Sequence, residues 1–84
     1  MKVFVTNTFK RAAKKLHRDQ VARIEEGIEI IRANSFIGEP KIGDLAGAKV
    51  YKLHISHQHI LLVYLNNEQD DEITLLSFYT NYKC

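Results

Sequence analysis

The sequence predicts an α+β domain in which an N-terminal strand and an α-hairpin pack on one face of a mainly antiparallel sheet of four strands. Apolar side chains recur at helical spacing between residues 7 and 34. Between residues 49 and 79 they follow the alternation or the short continuous runs that are typical of strands. With 84 residues and 45% hydrophobic content, residues 1–84 are expected to form a single domain.

The N-terminal segment predicts an edge strand followed by a first helix. Residues 2–6, KVFVT, are apolar and rich in β-branched side chains, as strands are. Three successive residues can cap the helix that follows, namely Thr6, Asn7 and Thr8. The apolar stripe of this helix consists of Phe9, Ala12, Ala13 and Leu16.

A second helix is predicted after a break at His17 and Arg18. Asp19 is expected to cap it, and it should run to about Asn34. Gly27 costs roughly 1 kcal/mol inside a helix, so it is expected to permit close approach of the first helix. The buried stripe of the second helix is formed by Val21, Ile24, Ile28 and Ile31.

The second half of the chain predicts three strands. Residues 35–48 hold three of the four glycines and the only proline, which indicates a loop that crosses from helix to sheet. The continuous apolar run at 60–65 indicates a central strand, with Leu62 or Val63 deeply buried. The expected order is strand 49–56, a turn near His57 and Gln58, strand 59–66, a polar turn at 67–71 and strand 73–79.

The hairpin at residues 51–64, YKLHISHQHILLVY, carries most of the ionisable chemistry. Every second residue from Tyr51 to Ile55 is apolar, and Lys52 and His54 lie between them. Because strand side chains alternate between two faces, Lys52 and His54 should point the same way, roughly 7 Å apart. This face should be open to solvent.

The charge distribution is more informative than the formal net charge of +2. The segment from residue 10 to residue 18 contains no acid and five basic residues, which are Lys10, Arg11, Lys14, Lys15 and Arg18. Such a run is as compatible with a solvated helix face as with a surface that contacts RNA.

Cysteine and histidine usage limits the classes of site. A single cysteine, Cys84, allows no intrachain disulfide. No apolar run approaches the roughly 20 residues of a membrane helix. A cytoplasmic protein is therefore expected. The spacing of His54, His57 and His59 invites a metal site. However, no carboxylate lies nearby in sequence and no tetrahedral signature is present, so neither a metal nor a cofactor is expected.

Four segments carry a resemblance to a known family: L-x-G at 45–47, YKLHI at 51–55, LLVY at 61–64 and the terminal segment 77–82. With the order strand, helix, helix and three antiparallel strands, the chain resembles the RelE/ParE superfamily of bacterial toxins over nearly its whole length. RelE-like members enter the ribosomal A site and cleave messenger RNA, and an antitoxin from the same operon blocks them. ParE-like members share the fold and poison DNA gyrase.

The resemblance extends to single residues. Lys52 matches a lysine that RelE-like members use near the scissile phosphate. His54 occupies the place of a second RelE lysine and of a catalytic histidine in the YafQ-like branch. Leu61 stands where RelE carries a phosphate-binding arginine. Instead of an arginine or histidine followed by a tyrosine, the last segment holds Tyr79, Asn81 and Tyr82.

The RelE/YafQ-like branch implies a ribosome-dependent mRNA endonuclease that cleaves without a metal through attack of the 2′-hydroxyl. This chemistry requires a base, positive charge on the phosphate and an acid for the leaving oxygen. The expected catalytic residues are Lys52, His54, Tyr79 and Tyr82. The expected RNA-binding residues are Lys10, Arg11, Lys14, Lys15, Arg18, His57 and His59.

Two other functions are compatible with these residues. The first is a ParE-like, non-enzymatic toxin that binds gyrase, which is favoured because Leu61 replaces the phosphate-binding arginine. The histidines favour the nuclease instead. A catalytically weak member would act mainly as an antitoxin-binding co-repressor. The partners that the resemblance implies are a cognate antitoxin, the ribosome with its RNA, messenger RNA, and a toxin–antitoxin hetero-oligomer on operator DNA, with no membrane.

Overall fold

The computed structural model of this chain describes residues 2–40, 47–55 and 58–81. The described part contains a five-stranded sheet with the strand order β1-β5-β4-β3-β2. In chain order the elements are β1 Lys2–Val5, α1 Asn7–Ala13, α2 Arg18–Ala33, β2 Glu39–Pro40, β3 Ala48–Ile55, β4 Gln58–Asn67 and β5 Glu72–Asn81.

The sheet is mainly antiparallel, as the sequence predicts. β3, β4 and β5 form an antiparallel meander, and β1 is an edge strand that pairs parallel to β5. The sequence predicts four strands, and the fifth is β2, which lies within the predicted loop and pairs with Lys49 and Val50. A segment of two residues, one of them a proline, is too short to show the alternation that indicates a strand. Because β2 lies at the edge of the sheet, the missing N–H of Pro40 is tolerated.

The core lies between the helices and the inner face of the sheet. Leu62 and Val63 of β4 are 0% and 1% exposed, which confirms that β4 is the deeply buried central strand. The buried apolar side chains in this core are Phe9, Ile24, Ile31, Leu53, Ile60, Leu62, Tyr64, Ile73 and Leu75. α1 packs on β5, and α2 packs on β3 and β4.

Gly27 allows α2 to approach the sheet. The prediction that it permits close approach of α1 is wrong. A Cβ atom at Gly27 would lie 2.8 Å from both methyl carbons of Leu53 and 3.1 Å from a methyl carbon of Leu62. The glycine therefore makes room for the two side chains that β3 and β4 insert beneath α2.

The cap of α1 is one of the residues that the sequence predicts, whereas the cap of α2 is not. The Thr6 hydroxyl caps α1 by accepting from the Phe9 N–H, and it donates to the Leu76 carbonyl at 2.8 Å. At α2 the cap position is His17, whereas the sequence predicts Asp19. Gln20 makes this possible, because its side-chain oxygen accepts the His17 N–H at 3.0 Å.

Tyr64 anchors the segment that follows α2. Its hydroxyl donates to the Ser35 carbonyl at 2.9 Å and accepts from the Gly38 N–H at 3.0 Å. Burial raises the pKa of the Tyr64 phenol, and the hydrogen bond from Gly38 opposes this rise. The phenol therefore stays neutral and fixes the chain just before β2.

Neither described helix is long and apolar enough to cross a membrane.

Candidate active site

The face of the sheet opposite the helices, here called the open face, carries the polar side chains of the central hairpin. Leu53 points into the core, so its neighbours Lys52 and His54 point outward, and both are exposed. On β5, Phe78 contacts Phe9 of α1 at a ring-centroid distance of 5.2 Å. Tyr79 therefore faces the open side, where it is 54% exposed.

Strand register arranges these side chains in two rows, because directly paired residues share a face. The lysine row consists of Lys52, Leu61 and Tyr79 on β3, β4 and β5. The histidine row consists of His54 and His59 on β3 and β4. The two rows are neighbours, about 7 Å apart along each strand.

The two histidines of the histidine row are in direct contact. Their ring centroids lie 4.3 Å apart and the ring planes meet at 75°, which is an edge-to-face arrangement. Partial desolvation lowers the pKa of His59, and the charges of His54 and Lys52 lower it further. The imidazolium form of His59 is therefore disfavoured.

The lysine row places a cation and a phenol on the two sides of a leucine. Lys52 and Tyr79 lie on strands that flank β4, so their Cα atoms are about 10 Å apart. Leu61 lies between them and is half-buried. An anionic group lying over Leu61 could contact the lysine on one side and the tyrosine hydroxyl on the other.

Two side chains of α2 hold the strand ends that carry the histidines. The Arg23 Nε donates to the His54 carbonyl at 2.8 Å, and the Arg23 guanidinium also pairs with Glu26 at 2.8 Å. The Gln20 amide donates to the Gln58 side-chain oxygen at 2.8 Å. The helix thus fixes the end of β3 and the start of β4 relative to each other.

A second surface lies on the helix side. A groove of about 370 Å³ runs between α1 and α2, and we call it the helix groove. Its walls are apolar and include Phe9, Ala13, Leu16, Val21, Ile24 and Ile28. Lys10, Lys14 and Glu25 line its rim.

Residues 3–82 match the model of the ParE-like toxin family of type II bacterial toxin–antitoxin systems. The chain belongs to this family. It is therefore a toxin of a type II toxin–antitoxin system, as the resemblance in the sequence predicts. Among curated proteins, none matches significantly.

Solved structures show the same fold as this ParE-like toxin. A chain of the intact RelBE toxin–antitoxin complex of E. coli matches with a TM-score of 0.76 and 14% identity, over 92% of each chain. The RelBE2 complex of Mycobacterium tuberculosis matches with a TM-score of 0.74 and 20% identity, over 95% of this chain and 96% of that one. The archaeal RelE–RelB complex of Pyrococcus horikoshii matches with a TM-score of 0.61 and 17% identity, over 92% and 90%.

The toxin fold brings together four of the residues singled out in the sequence, which are Lys52, His54, His59 and Tyr79. Tyr82 and His57 lie outside the described residues. The basic residues Lys10, Arg11, Lys14, Lys15 and Arg18 are exposed but belong to the helix layer, away from the open face. They are therefore separate from the site on the hairpin.

Sequence reasoning missed the supporting residues Gln20 and Arg23. They are three positions apart on α2, beside its apolar stripe, so their spacing places them on one helix face. Nothing in the sequence indicates that this face meets the ends of β3 and β4.

Of the described residues, no group of three or more histidine, cysteine or acidic side chains is arranged to hold a metal ion.

Proposed function

We propose that this toxin is a ribosome-dependent endonuclease that cleaves messenger RNA without a metal. The observation that supports it best is the juxtaposition of the lysine row and the histidine row on the open face. Within this patch lie a cation, two imidazoles in contact and a phenol, which supply the groups that cleavage by the 2′-hydroxyl requires.

In the proposed reaction His54 takes the proton of the 2′-hydroxyl as the 2′-oxygen attacks the phosphorus. The bond from phosphorus to the 5′-oxygen breaks, and Tyr79 gives its proton to that oxygen, leaving a 2′,3′-cyclic phosphate. Lys52 stabilises the negative charge that grows on the phosphate oxygens. Tyr82 is a second candidate for the acid.

His59 supports this assignment through its charge. Its pKa is lowered, so it does not oppose a proton on His54 with a second positive charge. It also offers a neutral ring on which RNA can hydrogen-bond or stack. His59 is thus an RNA-binding residue in this proposal, as is His57.

The helix layer is proposed to contact ribosomal RNA. Five of its exposed basic side chains, Lys10, Arg11, Lys14, Lys15 and Arg18, can each neutralise a phosphate. Since they lie apart from the open face, ribosome binding and cleavage would use separate surfaces of one molecule.

We further propose that a cognate antitoxin covers the helix groove. The RelBE, RelBE2 and RelE–RelB structures that share this fold are toxin–antitoxin complexes. The apolar walls of the groove suit one face of an amphipathic helix, and Lys10 and Lys14 suit acidic residues beside it. A complex of this kind could also assemble on operator DNA.

A second function is favoured by one residue of the same patch. Leu61 lies at the centre of the lysine row, where RelE-like members carry an arginine that binds phosphate. An apolar centre suits a protein surface better than an RNA phosphate, so the alternative is a ParE-like toxin that binds gyrase. A weakly catalytic co-repressor would retain antitoxin binding alone.

The discriminating experiment compares two activities of the purified toxin. Cleavage of messenger RNA on programmed ribosomes, detected by primer extension, is the expected result. Inhibition of DNA supercoiling by gyrase without any cleavage would replace the nuclease with the gyrase-binding alternative.

A further inference from the structure

A cavity next to the lysine row has no role in the chemistry proposed above. It has a volume of about 470 Å³ and lies on the open face beside β2, and we call it the β2 pocket. Its lining includes Ile37, Glu39, Val50, Lys52 and Leu61. Two of these residues, Lys52 and Leu61, also belong to the lysine row, so the pocket and the proposed cleavage site share a wall.

The β2 pocket is built on a fixed segment. Glu39 pairs directly with Val50, so both side chains face the open side of the sheet. Ile37 and Glu39 flank Gly38, whose N–H donates to the buried Tyr64 hydroxyl at 3.0 Å. This hydrogen bond holds the outer wall of the pocket in place.

The chemistry of the lining matches a nucleobase attached to a phosphate. Ile37, Val50 and Leu61 offer apolar surface for the faces of a planar ring. The Glu39 carboxylate can only accept hydrogen bonds when ionised, and it lines the same pocket as Lys52. Lys52 would hold the phosphate while the base of the same nucleotide enters the pocket.

Resting on the nuclease function proposed above, we propose that the β2 pocket binds the base next to the scissile phosphate and that Glu39 selects bases with an exocyclic amine. Cytosine presents its N4 amine, adenine its N6 amine and guanine its N2 amine to such a carboxylate. Uracil presents O4 where cytosine presents the amine, and two oxygen acceptors facing each other repel. Codons with uracil at this position are therefore cut more slowly.

The test uses ribosomes programmed with four A-site codons that differ only in the base next to the cleaved bond. The wild type should cut the best codon with an amine-bearing base about tenfold faster than the uracil codon, a ratio that corresponds to about 1.4 kcal/mol. In Glu39→Gln the ratio should fall to about twofold or less, because an amide can both donate and accept. The matched control is Glu68→Gln, an exposed glutamate in the turn after β4, which should keep the wild-type ratio.

Two measurements separate failure of the pocket from failure of the nuclease. If Glu39→Gln cleaves with an unchanged base preference, the role of Glu39 is wrong while the nuclease function stands. If the wild type cleaves no codon, the nuclease function is wrong, and binding is then judged by NMR titration with cytidine and uridine 5′-monophosphate. Larger shifts of the Ile37, Val50 and Leu61 methyl signals with cytidine than with uridine would support the pocket, and equal or absent shifts would overturn it.

Discussion

His54 and His59 face each other across β3 and β4, with ring centroids 4.3 Å apart. Because Lys52 is in the next row of the same open face, three groups that can carry positive charge share a small area. Partial desolvation and the charges of His54 and Lys52 lower the pKa of His59. The protonation of His59 is therefore coupled to the charges of its two neighbours.

The first prediction concerns the pKa of His59. NMR titration of its ring proton should give a value below the ordinary 6.5, because desolvation and the charges of His54 and Lys52 disfavour the imidazolium. In His54→Gln the pKa of His59 should rise but stay below 6.5, because desolvation is the larger cause. A His59 pKa at or above 6.5 in the wild type would contradict this description of the pair.

The same shift predicts how stability depends on pH. Below pH 6.5 the unfolded chain protonates His59 more readily than the folded chain does, so the free energy of unfolding should fall as pH drops from 6.5 through the lowered pKa. Well above pH 6.5 His59 is neutral in both states and contributes no slope. In His59→Gln the melting temperature should fall less between pH 7.5 and pH 5 than it does in the wild type.

The second prediction concerns the packing of α2 on the sheet. Leu62→Ala should lower the free energy of unfolding by about 2–5 kcal/mol, since Leu62 is fully buried. Gly27→Ala should also destabilise, because the new methyl group meets Leu53 at 2.8 Å. Urea denaturation measures both. A cost below about 0.5 kcal/mol for Leu62→Ala would mean that the core is misplaced.

The third prediction concerns the anchor at Tyr64. Tyr64→Phe keeps the ring but leaves the Ser35 carbonyl and the Gly38 N–H without their partner, which should cost about 1–3 kcal/mol. The exposed Tyr79→Phe is the matched control for stability and should change the free energy of unfolding by less than about 0.5 kcal/mol. Equal stability of Tyr64→Phe and the wild type would show that the hydroxyl does not hold the segment before β2.

The fourth prediction concerns the antitoxin. Lys14→Glu reverses a charge at the rim of the helix groove and should weaken binding of the antitoxin about tenfold at low salt, with a smaller effect at high salt. Lys2→Glu, on the exposed edge strand, is the matched control and should bind like the wild type. Isothermal titration calorimetry with the purified antitoxin measures both, and equal affinities for the two variants would place the antitoxin elsewhere.

Local periodicity predicted both helices and every described strand except β2. The alternation from Tyr51 to Ile55 is enough to place Lys52 and His54 on the face opposite Leu53, because the core determines which face is buried. It does not determine which residue of β4 lies opposite His54. That depends on the register of the hairpin, and a different register would separate His54 from His59.

Contacts between distant segments could not be predicted from the sequence. The hydrogen bond from Arg23 to the His54 carbonyl joins residues that are 31 positions apart, and neither residue has a pattern that anticipates the other. The two-residue strand at Glu39 has no periodicity of its own and forms because β3 offers an edge. Gly27 marked a close approach, but the sequence did not indicate which partner it accommodates.

If the open face cleaves RNA, rates of cleavage on programmed ribosomes should depend on its polar side chains. His54→Ala should lower the rate by about 10²–10⁴, because it removes a proton-transfer group, and Lys52→Ala should also lower it by removing charge from the phosphate site. His17→Ala, an exposed histidine at the start of α2, is the control and should cleave at the wild-type rate. Cleavage at the wild-type rate by the double variant Lys52→Ala with His54→Ala would show that the open face is not the cleavage site.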